Sequence, residues 1–368
     1  MIGTSRRKNP IRVLVVEDSP TARNLLVLLF QASGDIEVVG TALDGKEAVR
    51  RAAELRPDVI TMDIQLPGMN GLQATREIMR LTPVPIVVVT ATLDQPDMDL
   101  TFEAMRAGAL SVVKKPARND VKSCEQVVNT VRLMADVPVV HRWHPGDETA
   151  LHKQDWAITA KLVGVDKSNL PYEAGRSNKR IRLVGIAAST GGPGALLNVF
   201  KGLPADFPVP IVVVQHITID FAQSLAKWLD GQVALQVRLA EQNEIPQPGS
   251  VLIAPDDHHL EIGARGEIVL NSRPPNKGLR PSADYLFSSM ASVYGAQAVG
   301  VILTGMGNDG VDGLCELHQR GGMVLAQDEE TSVVYGMPRE AAMKQIVDRI
   351  LPIYQIGPYL RNLLRIGD

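Results

Sequence analysis

The sequence has few of the features that mark a disulfide-bonded, zinc-binding or membrane-embedded protein. Its two cysteines, Cys124 and Cys315, are too few and too far apart for a disulfide framework or a zinc site. We therefore expect buried, reduced thiols. No apolar run approaches the roughly 20 residues that span a bilayer. The N-terminal MIGTSRRKNP leads directly into a charged strand–turn pattern, which disfavours a signal peptide and predicts a cytoplasmic protein without membrane insertion.

An excess of charge of either sign is also absent. The chain carries 38 lysines and arginines against 41 aspartates and glutamates, a formal net charge of -3. Such a balance gives no electrostatic surface for nucleic acid or for an anionic membrane. The length of 368 residues favours two domains over one.

Short apolar runs alternate with helical patterns from about residue 10 to residue 135. The intervening segments have apolar residues at helical spacing, and the runs are nearly continuously apolar, as in parallel strands covered on both faces. The runs are IRVLVVE, IEVVGTA, DVITMD, PIVVVTA and LSVVKKP. Repeated βα units of this kind predict a flavodoxin-like domain, a doubly wound parallel sheet.

The alternation stops between residues 136 and 179, where proline, glycine, charged residues and isolated aromatics mix. This composition predicts a linker. Its histidines His141, His144 and His152 have no cysteine or carboxylate at ligand spacing, so a solvated linker is favoured over a metal site. From residue 180 to residue 363 the βα pattern resumes, which predicts a second, Rossmann-like α/β domain with its site beyond the carboxyl ends of the strands. The predicted strands are IRLVGIAAS, PVPIVVVQH, GSVLIAP, QAVGVILTG and GGMVLAQ, and the predicted helices are GALLNVFKGL, FAQSLAKWLD, ADYLFSSMASVYG and GVDGLCELHQRG.

Five polar residues stand at strand ends of the first domain. Three carboxylates, of Glu17, Asp18 and Asp63, would converge at one sheet edge and repel each other unless a cation lay among them. Oxygen-only ligands suit Mg²⁺. Thr90 and Lys115 would add a hydroxyl and an ammonium, and together these groups predict a phosphoryl site.

The segments VLVVEDS, MDIQLPGMNG, VTA and KKP closely resemble the response-regulator receiver domain. The resemblance implies that Asp63 accepts a phosphoryl group and that Glu17 and Asp18 help to bind Mg²⁺. It also implies that Thr90 and Lys115 sense the aspartyl phosphate.

Three positions depart from the receiver pattern. Asn70 stands where Asp is usual and Leu66 where Met is common, and both changes are compatible with the fold. Val112 replaces the Phe or Tyr that reports phosphorylation in receivers, which puts the strength of the relay in question.

The stretch GIAASTGGPG places Ser189 between an apolar run and a glycine-rich turn. No lysine follows the glycines, so the turn is not a P-loop, and the glycine spacing does not fit a dinucleotide site. It is close to the nucleophile elbow G-x-S-x-G, with Ala187 as the first residue. Ser189 could equally be a helix cap, and this stretch alone leaves both roles open.

Two further strand ends supply a base and an acid. His216 ends the strand VVVQH, and Asp309 lies in GMGNDG after the strand VGVILTG. Serine, histidine and aspartate at one sheet edge would form a nucleophile, a base and an orienting carboxylate. Other polar residues have simpler expected roles: a helix start for Asp284, a turn for Asp328, a turn between hairpin strands for His258 and His259, and a cap or cleft lining for Arg280.

The segments ASTGG, QH, RPSADYLF, LTGMGNDG and QDEETSVVYGMPREA resemble, in this order, the catalytic domain of the chemotaxis protein-glutamate methylesterase family. The resemblance implies that Ser189 is the nucleophile, His216 the general base and Asp309 its orienting carboxylate. It also points to Thr190 and Met306 at the oxyanion.

The expected function is hydrolysis of glutamate γ-methyl esters on chemoreceptors, with deamidation of glutamine chemically possible. The ester chemistry needs no cofactor. A chemotaxis histidine kinase would supply the phosphoryl group, and we hypothesise that the unphosphorylated receiver covers the cleft near Ser189. A partner-binding module and a transcription factor are the alternatives. The second would need a helix-turn-helix and a basic C-terminal domain, which the βα pattern and the neutral charge disfavour.

Overall fold

Two separate parallel sheets organise the chain. The computed structural model describes residues 9–91, 101–105, 107–117, 120–137, 180–217 and 221–365. Nearly all of the predicted linker, including His141, His144 and His152, lies outside the described residues. The two-part α/β architecture expected from the sequence is confirmed.

The first sheet has five parallel strands in the order β2-β1-β3-β4-β5. All residues of β3 and β4 are buried, as continuously apolar strands must be when both sheet faces are covered. The chain reverses its direction of travel across the sheet between β1 and β3, which opens a crevice at their carboxyl ends. The strands are β1 (Ile11–Val16), β2 (Ile36–Ala42), β3 (Val59–Met62), β4 (Ile86–Thr90) and β5 (Ser111–Lys114).

Helices cover the first sheet, and polar side chains fix where they begin. Ser19, Asp44, Asn70 and Asp120 each precede a helix and accept a hydrogen bond from its first turn. Asn70 forms a reciprocal capping box with Gln73, so the asparagine serves the helix start well. Residues 101–105 are also helical. The remaining helices are α1 (Pro20–Ala32), α2 (Gly45–Leu55), α3 (Gly71–Leu81) and α4 (Val121–Ala135).

The second sheet has seven parallel strands in the order β14-β13-β12-β6-β7-β9-β8. The hydrophobic pattern predicts the five inner strands but not β8 and β14. These two are short, lie at the sheet edges and are partly exposed, so their hydrophobic signal is weak. The strands are β6 (Leu183–Ala188), β7 (Ile211–Gln215), β8 (Gln236–Leu239), β9 (Ser250–Ile253), β12 (Ala298–Ile302), β13 (Met323–Gln327) and β14 (Arg349–Leu351).

Helices also accompany the second sheet. Four of them match predicted helices, whereas α9 and α10 were missed because Pro338 near the start of one and Pro358 inside the other weaken the helical pattern. The helices are α5 (Gly192–Lys201), α6 (Ala222–Asp230), α7 (Ala283–Val293), α8 (Val311–Gln319), α9 (Met337–Met343) and α10 (Ile353–Arg365).

An antiparallel hairpin of β10 (His259–Ile262) and β11 (Ile268–Asn271) stands apart from the large sheet. The expectation that His258 and His259 occupy a turn between two hairpin strands is wrong, because the hairpin turn lies after β10 rather than before it. His258 directly precedes β10, and His259 begins it and is fully buried.

One aromatic contact joins the two halves of the chain. Phe102, from the helical residues 101–105, is fully buried and stacks on Trp228 of α6 with ring centroids 5.0 Å apart and an interplanar angle of 22°. The helix α6 follows the end of β7, where His216 lies. The contact therefore connects a helical segment of the first half to the helix that follows His216.

We predict opposite stability effects for two matched glycine substitutions, each at the third residue of a helix. In Gly313→Ala, the added Cβ would lie 2.6 Å from the backbone oxygen of Asp284, so α7 and α8 must separate. The expected loss is about 1–3 kcal/mol of unfolding free energy. In Gly194→Ala, the Cβ meets nothing within 4 Å, and helix propensity favours alanine by up to about 1 kcal/mol. Thermal and denaturant unfolding measure both. Equal destabilisation by the two variants would contradict the close packing of α7 and α8.

Candidate functional site

Three carboxylates meet at the carboxyl edge of the first sheet. Glu17 and Asp18 directly follow β1, and Asp63 directly follows β3. One oxygen from each lies within 4.8 Å of the others, and Glu17 and Asp63 are buried while Asp18 is exposed. The sequence-predicted cluster is therefore assembled, with a donor set and spacing that fit a divalent cation.

Lys115 completes this acidic pocket from the end of β5. Its ammonium nitrogen lies 2.7 Å from Asp63 Oδ2 and within 3.0 Å of Glu17 Oε1. Thr90 ends β4 and is buried, and its carbonyl accepts a hydrogen bond from the Lys115 N–H at 2.7 Å. Val112 is buried in β5, in register with Val88 of β4. All five predicted pocket residues thus lie at one edge of the sheet.

Burial dominates the electrostatics of this pocket. It raises the pKa of the Asp63 carboxyl above its ordinary value, although the hydrogen bond from Lys115 opposes the change. Burial likewise raises the pKa of Glu17, and the charge of Asp63 adds to that rise. Burial alone would lower the pKa of Lys115, but the bonds to Asp63 and Glu17 raise it above normal. The two carboxylates are under-compensated by one lysine, and a bound cation would relieve their repulsion.

Ser189 lies directly after β6, where the chain turns sharply into α5. The residue at the cap position immediately before α5 is Gly191, with φ of 78°, and no side chain caps the helix. A Cβ on Gly191 would clash with Val333 at 2.6 Å, so this tight turn requires glycine. Of the two roles that the sequence left open for Ser189, the structure does not support the helix cap, because the half-buried serine stands two residues before that position.

His216 stands beside Ser189 because β6 and β7 are parallel neighbours. Ala188 and Gln215, the last residues of the two strands, are in register, and the His216 N–H donates to the Ala188 carbonyl at 2.9 Å. The buried Gln215 side chain then links Ser189 and His216, the residues that follow the two strands. Its amide nitrogen donates to the carbonyl of Ser189 at 2.9 Å and to that of His216 at 2.8 Å.

Asp309 reaches the same place from the loop between β12 and α8. Its Oδ2 lies 2.8 Å from His216 Nε2 and accepts from the Ala283 N–H at 2.6 Å. Its Oδ1 accepts from the Ser282 hydroxyl, also at 2.6 Å. Burial alone would raise the pKa of Asp309, but these three donors hold the pKa at about 2. The carboxylate is ionised at neutral pH and can only accept hydrogen bonds.

This constraint fixes the proton on the histidine ring. Because ionised Asp309 must accept, Nε2 of neutral His216 carries the hydrogen and Nδ1 carries the lone pair. Nδ1 is therefore the atom that can take a proton from a nucleophile.

The loop after β12 lies against the serine. Ser189 N–H donates to the Thr304 carbonyl at 3.0 Å, and the Thr304 hydroxyl donates to the Thr190 carbonyl at 2.9 Å. Gly305 approaches so closely that a Cβ there would lie 2.6 Å from Ser189 Cβ. Within the described residues, the backbone N–H groups of Thr190 and Met306 donate to no protein acceptor. Both therefore remain available beside the serine.

Other predicted candidates have structural roles. Asp284 accepts from the Gly313 N–H at the start of α8, and Asp328 accepts from the Thr331 N–H in a turn. Arg280 pairs with Asp257 and donates to two backbone carbonyls. His258 is close to the Asp256 carbonyl through Nδ1.

Cys124 and Cys315 are free thiols as expected, but they are partly exposed rather than buried.

The polar residues that support this site were not predicted from the sequence. Gln215, Ser282, Thr304 and Gln327 are buried, although they lie at strand or helix ends where polar residues are common. The one available signal was the placement of glutamine at the end of two otherwise apolar strands, β7 and β13.

None of the described helices is both long and apolar enough to cross a membrane.

Comparison with known proteins identifies the family of each half of the chain. The family model described as CheB methylesterase matches residues 184–360, and that of the response regulator receiver domain matches residues 13–123. A protein-glutamate methylesterase/protein-glutamine glutaminase of Myxococcus xanthus is 43% identical over 98% of this chain and 98% of its own length. One from Nitrosospira multiformis is 41% identical over 96% of this chain and 97% of its own.

A solved structure of the Thermotoga maritima CheB methylesterase catalytic domain is 40% identical, with a TM-score of 0.49, over 50% of this chain and all (100%) of that one. The near full-length relatives and the two matched models confirm both resemblances noted in the sequence. The chain belongs to the protein-glutamate methylesterase family, with a receiver domain ahead of a CheB methylesterase catalytic domain.

Proposed function

We propose that this protein is a phosphorylation-regulated esterase that hydrolyses glutamate γ-methyl esters of chemoreceptors in the cytoplasm. The observation that carries the proposal is the convergence of Ser189, His216 and Asp309 on three strand ends, with His216 Nε2 2.8 Å from Asp309 Oδ2. We assign the receiver to residues 10–135, a linker to residues 136–179 and the catalytic domain to residues 180–363.

The geometry supports a two-step acyl transfer. Ser189 Oγ attacks the ester carbonyl carbon while His216 Nδ1 takes the hydroxyl proton, and Asp309 stabilises the imidazolium. When the tetrahedral intermediate collapses, the imidazolium returns the proton to the leaving oxygen and methanol departs. Water then attacks the acyl-serine, giving its proton to His216. Collapse of the second intermediate returns that proton to Ser189 and releases glutamate.

Two backbone N–H groups would stabilise the developing charge. Thr190 follows the nucleophile and Met306 lies on the loop packed against it, and this proximity supports an oxyanion role for both N–H groups. Amide hydrolysis of glutamine passes through the same kind of intermediate with ammonia as the leaving group. The curated relatives are named for both activities, and we extend both to this chain.

The acidic pocket supports phosphorylation of the receiver. Glu17, Asp18 and Asp63 would hold Mg²⁺, which would neutralise charge on an incoming phosphoryl group. Asp63 would accept that group from a chemotaxis histidine kinase, and Lys115 and Thr90 would contact it. The ester chemistry uses the serine, the histidine and backbone donors, with no cofactor.

Two contacts support a regulatory connection between the receiver and the esterase. Phe102 stacks on Trp228, and Val334, on the loop hydrogen-bonded to Thr304 and Gly305, packs against the core of the first sheet. We propose that the unphosphorylated receiver restrains this region and that phosphorylation loosens the contacts. With Val112 in place of an aromatic, the helical residues around Phe102 are the better candidates for transmitting the change.

We predict that Ser189→Ala abolishes methanol release from a carboxyl-methylated chemoreceptor. Loss of the nucleophile should lower kcat by at least about 10³-fold. Ser292→Ala is the control, because that serine is exposed on α7 and donates only within its helix. Wild-type activity in Ser189→Ala would mean that the nucleophile lies elsewhere, and no methanol release by either protein would mean that the domain only binds its partner.

We predict that Asp309→Asn removes a pH-dependent contribution to stability. The folded pKa of about 2 lies below the ordinary value of about 3.9. The carboxylate therefore contributes stability above pH about 4, and this contribution is lost as the pH falls through about 2. Relative to wild type, the variant should lose about 2 kcal/mol of unfolding free energy at pH 6, with a smaller difference at pH 3. Denaturant unfolding at both pH values measures this, and a difference that does not change with pH would contradict it.

We predict that Asp63→Asn removes stimulation of the esterase by a small phosphoryl donor with Mg²⁺. The ratio of methanol release with and without the donor should exceed one in wild type and fall to one in the variant. Asp35→Asn is the control, because Asp35 is an exposed partner of Arg132. A stimulated Asp63→Asn variant would exclude Asp63 as the acceptor.

A further inference from the structure

Ser282 occupies the position immediately before α7, where serine usually caps the helix. Its side chain makes no cap hydrogen bond, although the residue is fully buried. The hydroxyl points instead to Asp309 Oδ1, 2.6 Å away. The side chain therefore does not cap its own helix and instead contacts a residue 27 positions further along the chain.

Asp309 takes over part of the cap that Ser282 leaves unmade. Its Oδ2 accepts from the N–H of Ala283, the first residue of α7, at 2.6 Å. In return, Asp284 of α7 accepts from the Gly313 N–H in the first turn of α8 at 3.1 Å. A carboxylate from the loop before α8 therefore contacts the N-terminus of α7, and a carboxylate of α7 contacts the N-terminus of α8. Free N–H groups and the helix dipole favour negative charge at both places.

The direction of the Ser282 hydroxyl is fixed by its other neighbour. The amide nitrogen of Asn276 donates to Ser282 Oγ at 3.0 Å and to Asp284 Oδ2 at 3.1 Å. Because Asn276 supplies a donor, the serine oxygen accepts there and its own hydrogen remains for Asp309. The backbone is held as well, since Ser282 N–H donates to Nδ1 of the buried His259 at 3.2 Å.

We propose that Ser282 is the positioning residue for the acid–base pair, an inference that rests on the proposed esterase function. Its hydroxyl anchors Oδ1 of Asp309, so that Oδ2 stays beside His216 Nε2 and the lone pair stays on His216 Nδ1. Ser282 acts through Asp309 and does not touch the ester. It therefore governs proton transfer rather than substrate binding.

Removal of the hydroxyl should change the pair in two ways. The carboxylate can rotate away from Nε2, so fewer molecules hold His216 in the productive orientation. The anion also loses a donor, so the His216–Asp309 pair binds a proton more tightly. The first effect lowers kcat, and the second moves the acid limb of the pH–rate profile to higher pH.

The test compares full-length Ser282→Ala with Ser289→Ala. Ser289 lies on the same helix, and its hydroxyl donates to the Leu286 carbonyl and accepts from the Ile262 N–H, so its removal also costs two partly buried hydrogen bonds. Both variants are assayed for methanol release from a methylated receptor between pH 5 and 9. Thermal unfolding checks that both fold, and Ser282→Thr tests rescue by a retained hydroxyl.

We expect Ser282→Ala to lower kcat about 10- to 100-fold with KM unchanged, the usual effect of losing a hydrogen bond to a charged group. Its acid limb should move to higher pH, Ser282→Thr should recover activity, and Ser289→Ala should match wild type in both kcat and pH profile. Should Ser282→Ala not fold, Ser282→Cys, with a weaker donor, should show the same changes at smaller size.

A wild-type kcat and acid limb in folded Ser282→Ala would overturn the inference, as would equal effects in Ser289→Ala. Ser189→Ala in the same assay separates this result from failure of the proposed function. If Ser189→Ala is inactive while Ser282→Ala is normal, only the positioning role fails. If Ser189→Ala remains active, the esterase assignment itself fails.

Discussion

Parallel hydrogen bonding of β6 between β7 and β12 brings three loops to one edge of the second sheet. Parallel strands all end on the same side, so Ser189 and His216 follow adjacent strands and Asp309 lies on the loop after the third. The backbone bonds from His216 to Ala188 and from Ser189 to Thr304 continue this pairing beyond the strands. The relative placement of the site is thus set by the sheet before any side chain contributes.

The buried carboxylates of the two sites have pKa values shifted in opposite directions. Asp309 receives donors from an imidazole, a hydroxyl and a helix N-terminus, so its pKa stays at about 2. Asp63 and Glu17 share one ammonium, and burial raises the pKa of each. A fully satisfied carboxylate suits a fixed role beside a base. An under-compensated pair suits a site that takes up a cation and a phosphoryl group.

The coupling proposed between the two sites needs only a modest change in free energy. Phe102 on Trp228 and Val334 against the first core provide the contacts through which one half of the chain can bias the other. A shift of a few kcal/mol is enough to move such an equilibrium from mostly closed to mostly open. Buried aromatic and aliphatic contacts of this kind contribute energies of that order.

The sequence by itself determined the two α/β halves, because hydrophobic periodicity is a local property. Polar residues at strand ends also predicted the acidic pocket and the Ser189, His216 and Asp309 set, and the family resemblance implied their roles. The periodicity missed β8, β14, α9 and α10, whose signals are weakened by exposure or proline. Only the tertiary structure decided that Ser282 and Gln215 serve the site rather than a helix cap or a strand. Their hydrogen bonds join segments 26 and 27 residues apart, and no local pattern specifies which distant oxygen a buried polar group will meet.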